Sequence, residues 1–175
     1  MPFWGKKKTE VAPIAKNELL QKLLALNNPS NPFEIKSSEE TDLLVEQRIV
    51  DAKWREGELA MTEKELKKGY KAWLLLDEAS HEARFCEEMT TEKKEKKGPF
   101  GLGGMSRQKT TFRGKTFAHK EHGSSGGLGS LIGGKKDYEY TFDVKKVHDP
   151  IKNTVEENGW SFKQVVTKGA ATYKK

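Results

Sequence analysis

The chain has 175 residues, 33% of them charged and 34% hydrophobic, a net charge of +6 and one cysteine, Cys86. That length suits a single domain, and a lone cysteine excludes an internal disulfide or a four-cysteine zinc site. No apolar run approaches the roughly 18 residues of a membrane helix, and Met1 to Lys8 holds no apolar signal-peptide core, so a soluble protein of the reducing cytoplasm is expected.

In chain order, residues 1–13 read as a flexible basic terminus, in which Phe3 and Trp4 stand beside Lys6, Lys7 and Lys8. A single α+β domain is expected over 14–175. Residues 14–26 predict an amphipathic helix with a stripe of Leu19, Leu20, Leu23, Leu24 and Leu26, opened by Pro13 and closed by Pro29 and Pro32. The stretch 43–54 predicts a strand. Leu43, Val45 and Ile49 share one parity and Val50, Ala52 and Trp54 the other, so a bulge, a sharp twist or burial on both faces is expected near Ile49.

Thr62-x-x-Glu65 has the form of a capping box, with Gly69 as a stop, and predicts a short helix. Two runs, 70–77 and 81–89, predict a hairpin around Glu78-Ala79-Ser80. Residues 93–136 differ in kind. They hold eleven of the sixteen glycines and eleven Lys or Arg against two Glu, a local charge of +9. They read as a basic, glycine-rich insert, with a strand at 111–118 between loops at 98–106 and 123–136. Tyr138, Tyr140, Phe142 and Val144 then alternate with polar residues and predict a strand over 138–146. Asp149 and Pro150 read as cap and first residue of a helix over 149–158, ended by Asn158-Gly159, and 160–166 predicts a final strand.

The fold class expected is therefore α+β: a twisted, mainly antiparallel sheet of 43–54, 70–77, 81–89, 111–118, 138–146 and 160–166, with the N-terminal and C-terminal helices packed on one face. Trp54, Trp73, Phe85, Tyr140, Phe142, Ile151, Val155, Trp160 and Phe162 are the expected core.

No constellation reads as an active site. Gly129 to Lys135 has phosphate-loop spacing, but Lys136 stands where a magnesium-ligating Ser or Thr is required, and no buried strand precedes it. Lys109 replaces the first glycine of a similar pattern ending at Gly114-Lys115-Thr116. His119-x-x-His122 offers two ligands where a metal needs three or four. Asp77, Ser80 and His81 read as a turn rather than a triad, whose members meet through the fold. Glu82, Glu87 and Glu88 read as carboxylates on an exposed strand face, and Cys86 beside Phe85 as a buried thiol. No cofactor and no metal are expected.

The remaining signal is cationic. Arg107, Lys109, Arg113, Lys115, Lys120, Lys135 and Lys136, interleaved with Phe112 and Phe117, suit phosphate neutralisation and base stacking. The leading expectation is a non-catalytic binding or adaptor domain that contacts nucleic acid or another polyanion through this insert. A second is weak peripheral attachment to an anionic membrane through residues 1–26, with Phe3, Trp4, Lys6, Lys7 and Lys8 in contact. A third is an enzyme whose site is assembled from residues distant in sequence. A fourth is intramolecular: the insert folds back on the stretch 32–92, which carries −7.

Overall fold

The computed structural model describes residues 11–56, 62–98, 103–113, 120–124 and 139–174. The elements run α1 (Lys16–Leu24), β1 (Glu34–Ser37), β2 (Leu43–Glu56), β3 (Thr62–Asp77), β4 (Glu82–Lys97), β5 (Met105–Arg113), β6 (Lys120–Ser124), β7 (Glu139–Asp143), α2 (Lys145–Glu157) and β8 (Ser161–Gln164), with a 3-10 turn at Lys168–Ala171. This is an α+β fold. Its main sheet has the order β1-β2-β3-β4-β5, all antiparallel, and β8 adds to β4 in parallel. Both β8 and β5 lie along the same edge of β4. Glu82–Phe85 pair with β8, and Glu88–Lys96 pair with β5.

The leucine stripe of α1 turns inward, with Leu19 and Leu23 fully buried. Asn27 ties the end of α1 to β1 by imitating a strand partner: its amide donates to the Ile35 carbonyl at 2.6 Å and its oxygen accepts the Ile35 N–H at 2.7 Å. In β2 the register against β3 shifts between Arg48 and Val50. A bulge is thus the device behind the parity switch in the sequence.

Four expectations need correction. Residues 62–69 are not a helix. They form the first half of β3, paired residue by residue with β4. Glu63 faces Lys96, Glu65 faces Lys94 and Lys67 faces Glu92, so opposite charges across the ladder favour the strand over the local capping signal. The strand expected at 111–118 starts at Met105 instead, and its described part ends at Arg113. The strand at 139–143 pairs with β6 in a separate two-stranded sheet rather than joining the main one.

The fourth correction concerns α2, which starts at Lys145 and carries Pro150 inside it. Asp143, not Asp149, serves its start, accepting the Lys145 N–H at 3.1 Å. The buried stripe Val147, Ile151 and Val155 explains the earlier start, because helix there buries one more apolar residue at the i, i+4 spacing. Past the helix end, Gly159 has φ 80° and sits against the Val11 carbonyl and the backbone of Ala12 and Pro13.

The main core joins Leu19 and Leu23 of α1 and Val147, Ile151 and Val155 of α2 to Ile35, Val45, Tyr70, Leu74, Phe85 and Trp160. Phe162 packs against it half-buried. Trp73 belongs elsewhere, in a smaller cluster with Cys86 and Ala171. The side chains of Trp54, Tyr140 and Phe142 lie outside those described.

Candidate functional site

Beyond Tyr70, strands β2 to β5 continue as a ribbon with few apolar side chains. Register places charges in rows across it. Asp51, Lys67, Glu92 and Lys109 make one row, and Lys53, Glu65, Lys94 and Arg107 the next. Alternating signs in a row attract, which favours the pairing of so polar a surface. The second row ends with two cations side by side, Lys94 and Arg107. Each turns to a carboxylate: Lys94 to Glu65 at 3.8 Å, and Arg107 to Glu92 at 2.8 Å.

Among the described residues β5 is the edge of this ribbon, and all nine of its residues are exposed. It contains Arg107, Lys109 and Arg113 and no acidic residue. Met105 is 67% exposed and Phe112 47%. The Arg113 guanidinium pairs with Glu88 across the ladder. The Arg107 hydrogen bond holds the Glu92 carboxyl below its usual range, and the same contact raises the Arg107 guanidinium. Neither Lys109 nor Lys96 has an ion-pair partner among the described residues.

A groove of about 260 Å³ opens on the face that carries these side chains, lined by Lys53, Glu63, Glu65, Lys94, Lys96, Met105 and Arg107. Four cations against two carboxylates leave it net positive. Hydrogen bonding from Lys67, reinforced by Lys94, keeps Glu65 in its charged form.

Of the residues singled out from sequence, Arg107, Lys109, Phe112 and Arg113 come together on β5. Lys120 starts β6, and its side chain is not described. Lys115, Phe117, Lys135, Lys136, Phe3, Trp4, Lys6, Lys7 and Lys8 lie outside the described residues. The groove adds Lys94 and Lys96, from the start of the basic stretch 93–136, and Lys53 from outside it. Only the register, which sets Lys53 and Lys94 in one row with Arg107, brings them together.

A different cluster is buried under the sheet. Glu87 is not on the exposed strand face that its sequence suggests, but is 1% exposed, on the buried face of β4 that Phe85 shares. The Tyr70 hydroxyl donates to it at 2.8 Å, and the Gln164 amide at 2.6 Å. Burial pushes its carboxyl up, against the pull of Tyr70, His148 and Gln164. Cys86 is buried on the opposite face, and burial likewise raises its thiol, which disfavours the thiolate. Asp77 and His81 sit at the hairpin turn, where Asp77 accepts the Ala79 N–H at 3.2 Å and His81 takes φ 49°. Among the described residues, no group of three or more His, Cys, Asp or Glu could hold a metal, and no helix is long and apolar enough to cross a membrane.

Comparison with family models, with curated proteins and with solved structures gives no match to this chain.

Proposed function

We propose that this chain is a non-catalytic binding domain that presents strand β5 and the adjoining groove to an anionic partner. One observation carries the reading: a strand at the edge of the sheet among the described residues, exposed along all nine of its own, holds three cations and no carboxylate. Natural proteins protect such edges from indiscriminate pairing with charge, and a single-sign edge also selects for partners of the opposite sign.

Two further features support it. Arg107 and Arg113 each contact one carboxylate of β4, yet a guanidinium has five N–H donors, so both keep donors for a second acceptor. Lys96 lines the groove and Lys109 stands on β5, each with no ion-pair partner among the described residues. Lys115, Lys120, Lys135 and Lys136 follow in the same basic stretch of sequence and would add to the attraction.

Titration with a single-stranded oligonucleotide and with polyglutamate, each at two salt concentrations, tests the proposal. Binding by either that weakens as salt rises, and weakens again in Lys109→Glu and Lys96→Glu, is the expected result. Equal affinity of the wild type and both charge reversals for every anion sinks it.

A further inference from the structure

We infer that the partner of β5 is an acidic segment in extended conformation, added to the sheet as a further strand beside β5. The inference rests on the binding reading above and narrows it from anions in general to one geometry.

The main-chain pattern comes first. The Lys97 N–H donates to the Gly104 carbonyl at 3.2 Å, one step past the Lys96–Met105 pair. In an antiparallel ladder, hydrogen-bonded pairs alternate with pairs that exchange no bonds. Ser106, Gln108, Thr110 and Phe112 therefore aim their N–H and C=O groups at β4. Arg107, Lys109, Thr111 and Arg113 aim theirs away from it. Among the described residues no strand pairs with that outer side of β5. A row of exposed donors and acceptors is the ordinary template for strand addition.

The side chains then select the occupant. Arg107, Lys109 and Arg113 have the same parity and so share one face of β5. They are also the residues whose main chain faces outward. A strand arriving antiparallel sets its first residue opposite Arg113, its fifth opposite Lys109 and its seventh opposite Arg107. Carboxylates at those positions meet the cations directly. β4 already shows part of this pattern, with Glu88 opposite Arg113 and Glu92 opposite Lys109. The Arg107 end of the strand runs beside the groove, where Lys96 and Lys53 add positive charge. A second copy of β5 fits poorly. Antiparallel self-pairing centred on Lys109 sets that lysine against itself, and centring on Thr110 sets Arg107 against Arg113; like charges directly opposite are destabilising.

The test uses the full chain and an acetylated, amidated nine-residue peptide rich in Val and Thr, with glutamates at its first, fifth and seventh positions. Three controls accompany it: the same peptide with glutamines, the same peptide N-methylated at alternate residues, and a single-stranded oligonucleotide. Affinity is read by fluorescence anisotropy and main-chain protection by amide hydrogen exchange. The expected result is saturable binding of the acidic peptide, at least tenfold weaker for both peptide controls. Exchange at the amides of Arg107, Lys109 and Thr111 should slow at least tenfold in the complex.

The deciding variant is Thr111→Pro. It deletes an N–H that faces away from β4, so the sheet survives while strand addition loses a donor and meets a proline ring. It should cut peptide affinity at least tenfold and leave oligonucleotide affinity within twofold. Lys109→Glu, which changes no main-chain group, should cut both and serves if the proline variant fails to fold. Equal binding of the N-methylated and unmodified peptides overturns the inference. So does an oligonucleotide that binds, with sensitivity to Lys109→Glu, where the acidic peptide does not; the broader binding reading then stands. A concentration-dependent dimer abolished by Thr111→Pro would make a second copy the occupant and also overturn the inference. If no anion binds, both readings fall.

Discussion

The hydroxyl of Tyr70 and the carboxylate of Glu87 meet at 2.8 Å across β3 and β4, where Tyr70 is 2% exposed and Glu87 1%. Gln164 completes the group from β8, so the carboxylate links the parallel strand to the centre of the sheet. Burial raises the Glu87 carboxyl above its usual 4.5. A raised carboxyl binds its proton more tightly in the folded chain than in the unfolded one. Its contribution to stability is therefore full below about pH 4.5 and is lost as pH rises through the folded value. Glu87→Gln retains an acceptor for Tyr70 and turns a donor toward Gln164, whose amide turns over to accept. The variant should gain on the wild type in urea melts as pH rises from about 4.5. Glu87→Ala leaves the two donors unpaired and should cost about 1–3 kcal/mol for each buried group left unsatisfied. A difference between Glu87→Gln and the wild type that stays constant from pH 4 to 8 refutes the assignment.

A second titration lies at the alkaline end. The Tyr173 hydroxyl donates to Asp42 at 2.8 Å, and Asp42 also holds Lys16 at 2.8 Å and the Leu76 N–H at 2.7 Å. Burial and the Asp42 carboxylate push the Tyr173 phenol up to about 12, and Tyr70 is raised well above its ordinary value. Both phenols bind their protons more tightly when folded. The Tyr173 contribution is full below about pH 10 and is lost as pH climbs through 12, and the Tyr70 contribution is lost as pH climbs through that phenol's own raised value. Tyr173→Phe should cost about 1 kcal/mol at neutral pH, with the deficit shrinking above pH 10. Tyrosinate absorbance should show one fewer late-titrating phenol in the variant.

Gly159 closes α2 in the left-handed region, and a Cβ there would come within 2.5 Å of the Val11 carbonyl oxygen. The same corner is fastened by Trp160, whose indole donates to the Ile14 carbonyl at 2.8 Å, and by the Ile14 N–H on the Asn158 carbonyl at 3.2 Å. Gly159→Ala pays about 1–2 kcal/mol for its backbone conformation alone and more for the clash. Thermal melts should show a loss above about 2 kcal/mol, larger than that of Gly169→Ala, where an added Cβ meets nothing within 4 Å.

What the sequence disclosed, and what it hid, divides by the range of the signal. The parity change between Leu43-Val45 and Val50-Ala52 is local, and the structure places a bulge there, between Arg48 and Val50. The hairpin from Tyr70 to Cys86 turns on Asp77, and Gly159 stops α2, as the residues imply. Residues 62–69 misled because their determinant is remote: Glu63 and Glu65 stand opposite Lys96 and Lys94 in the ladder, some thirty positions away. Pro150 misled because a proline marks a helix start only when no apolar residue asks for an earlier turn, and Val147 does. β1 is four residues long, too short for alternation to register, whereas β8 lies within the strand expected at 160–166. For the candidate site, Arg107, Lys109 and Arg113 were legible as cations. The carboxylate partners of the two arginines were not, because Glu88 and Glu92 reach them only through the β4–β5 register.

Those pairs set how far charge changes on β5 disturb the fold. Arg107 and Arg113 are exposed, and exposed ion pairs contribute about 0.2–1 kcal/mol, less in salt. The backbone pairing from Glu88–Arg113 to Lys96–Met105 runs through main-chain groups and not through these side chains. Arg107→Ala and Arg113→Ala should therefore each cost no more than about 1 kcal/mol in urea melts. Their combined cost should shrink towards zero in 0.5 M salt. By contrast, Thr110→Pro removes an N–H that faces β4, and should expose the amides of β5 to exchange at the rate of an open chain while β2 and β3 stay protected. A loss above about 2 kcal/mol for either arginine variant would mean that the pairs, rather than the ladder, hold β5 to the sheet. The charge reversals at Lys109 and Lys96 would then need to be read against the stability of each variant before any change in binding is assigned to the partner.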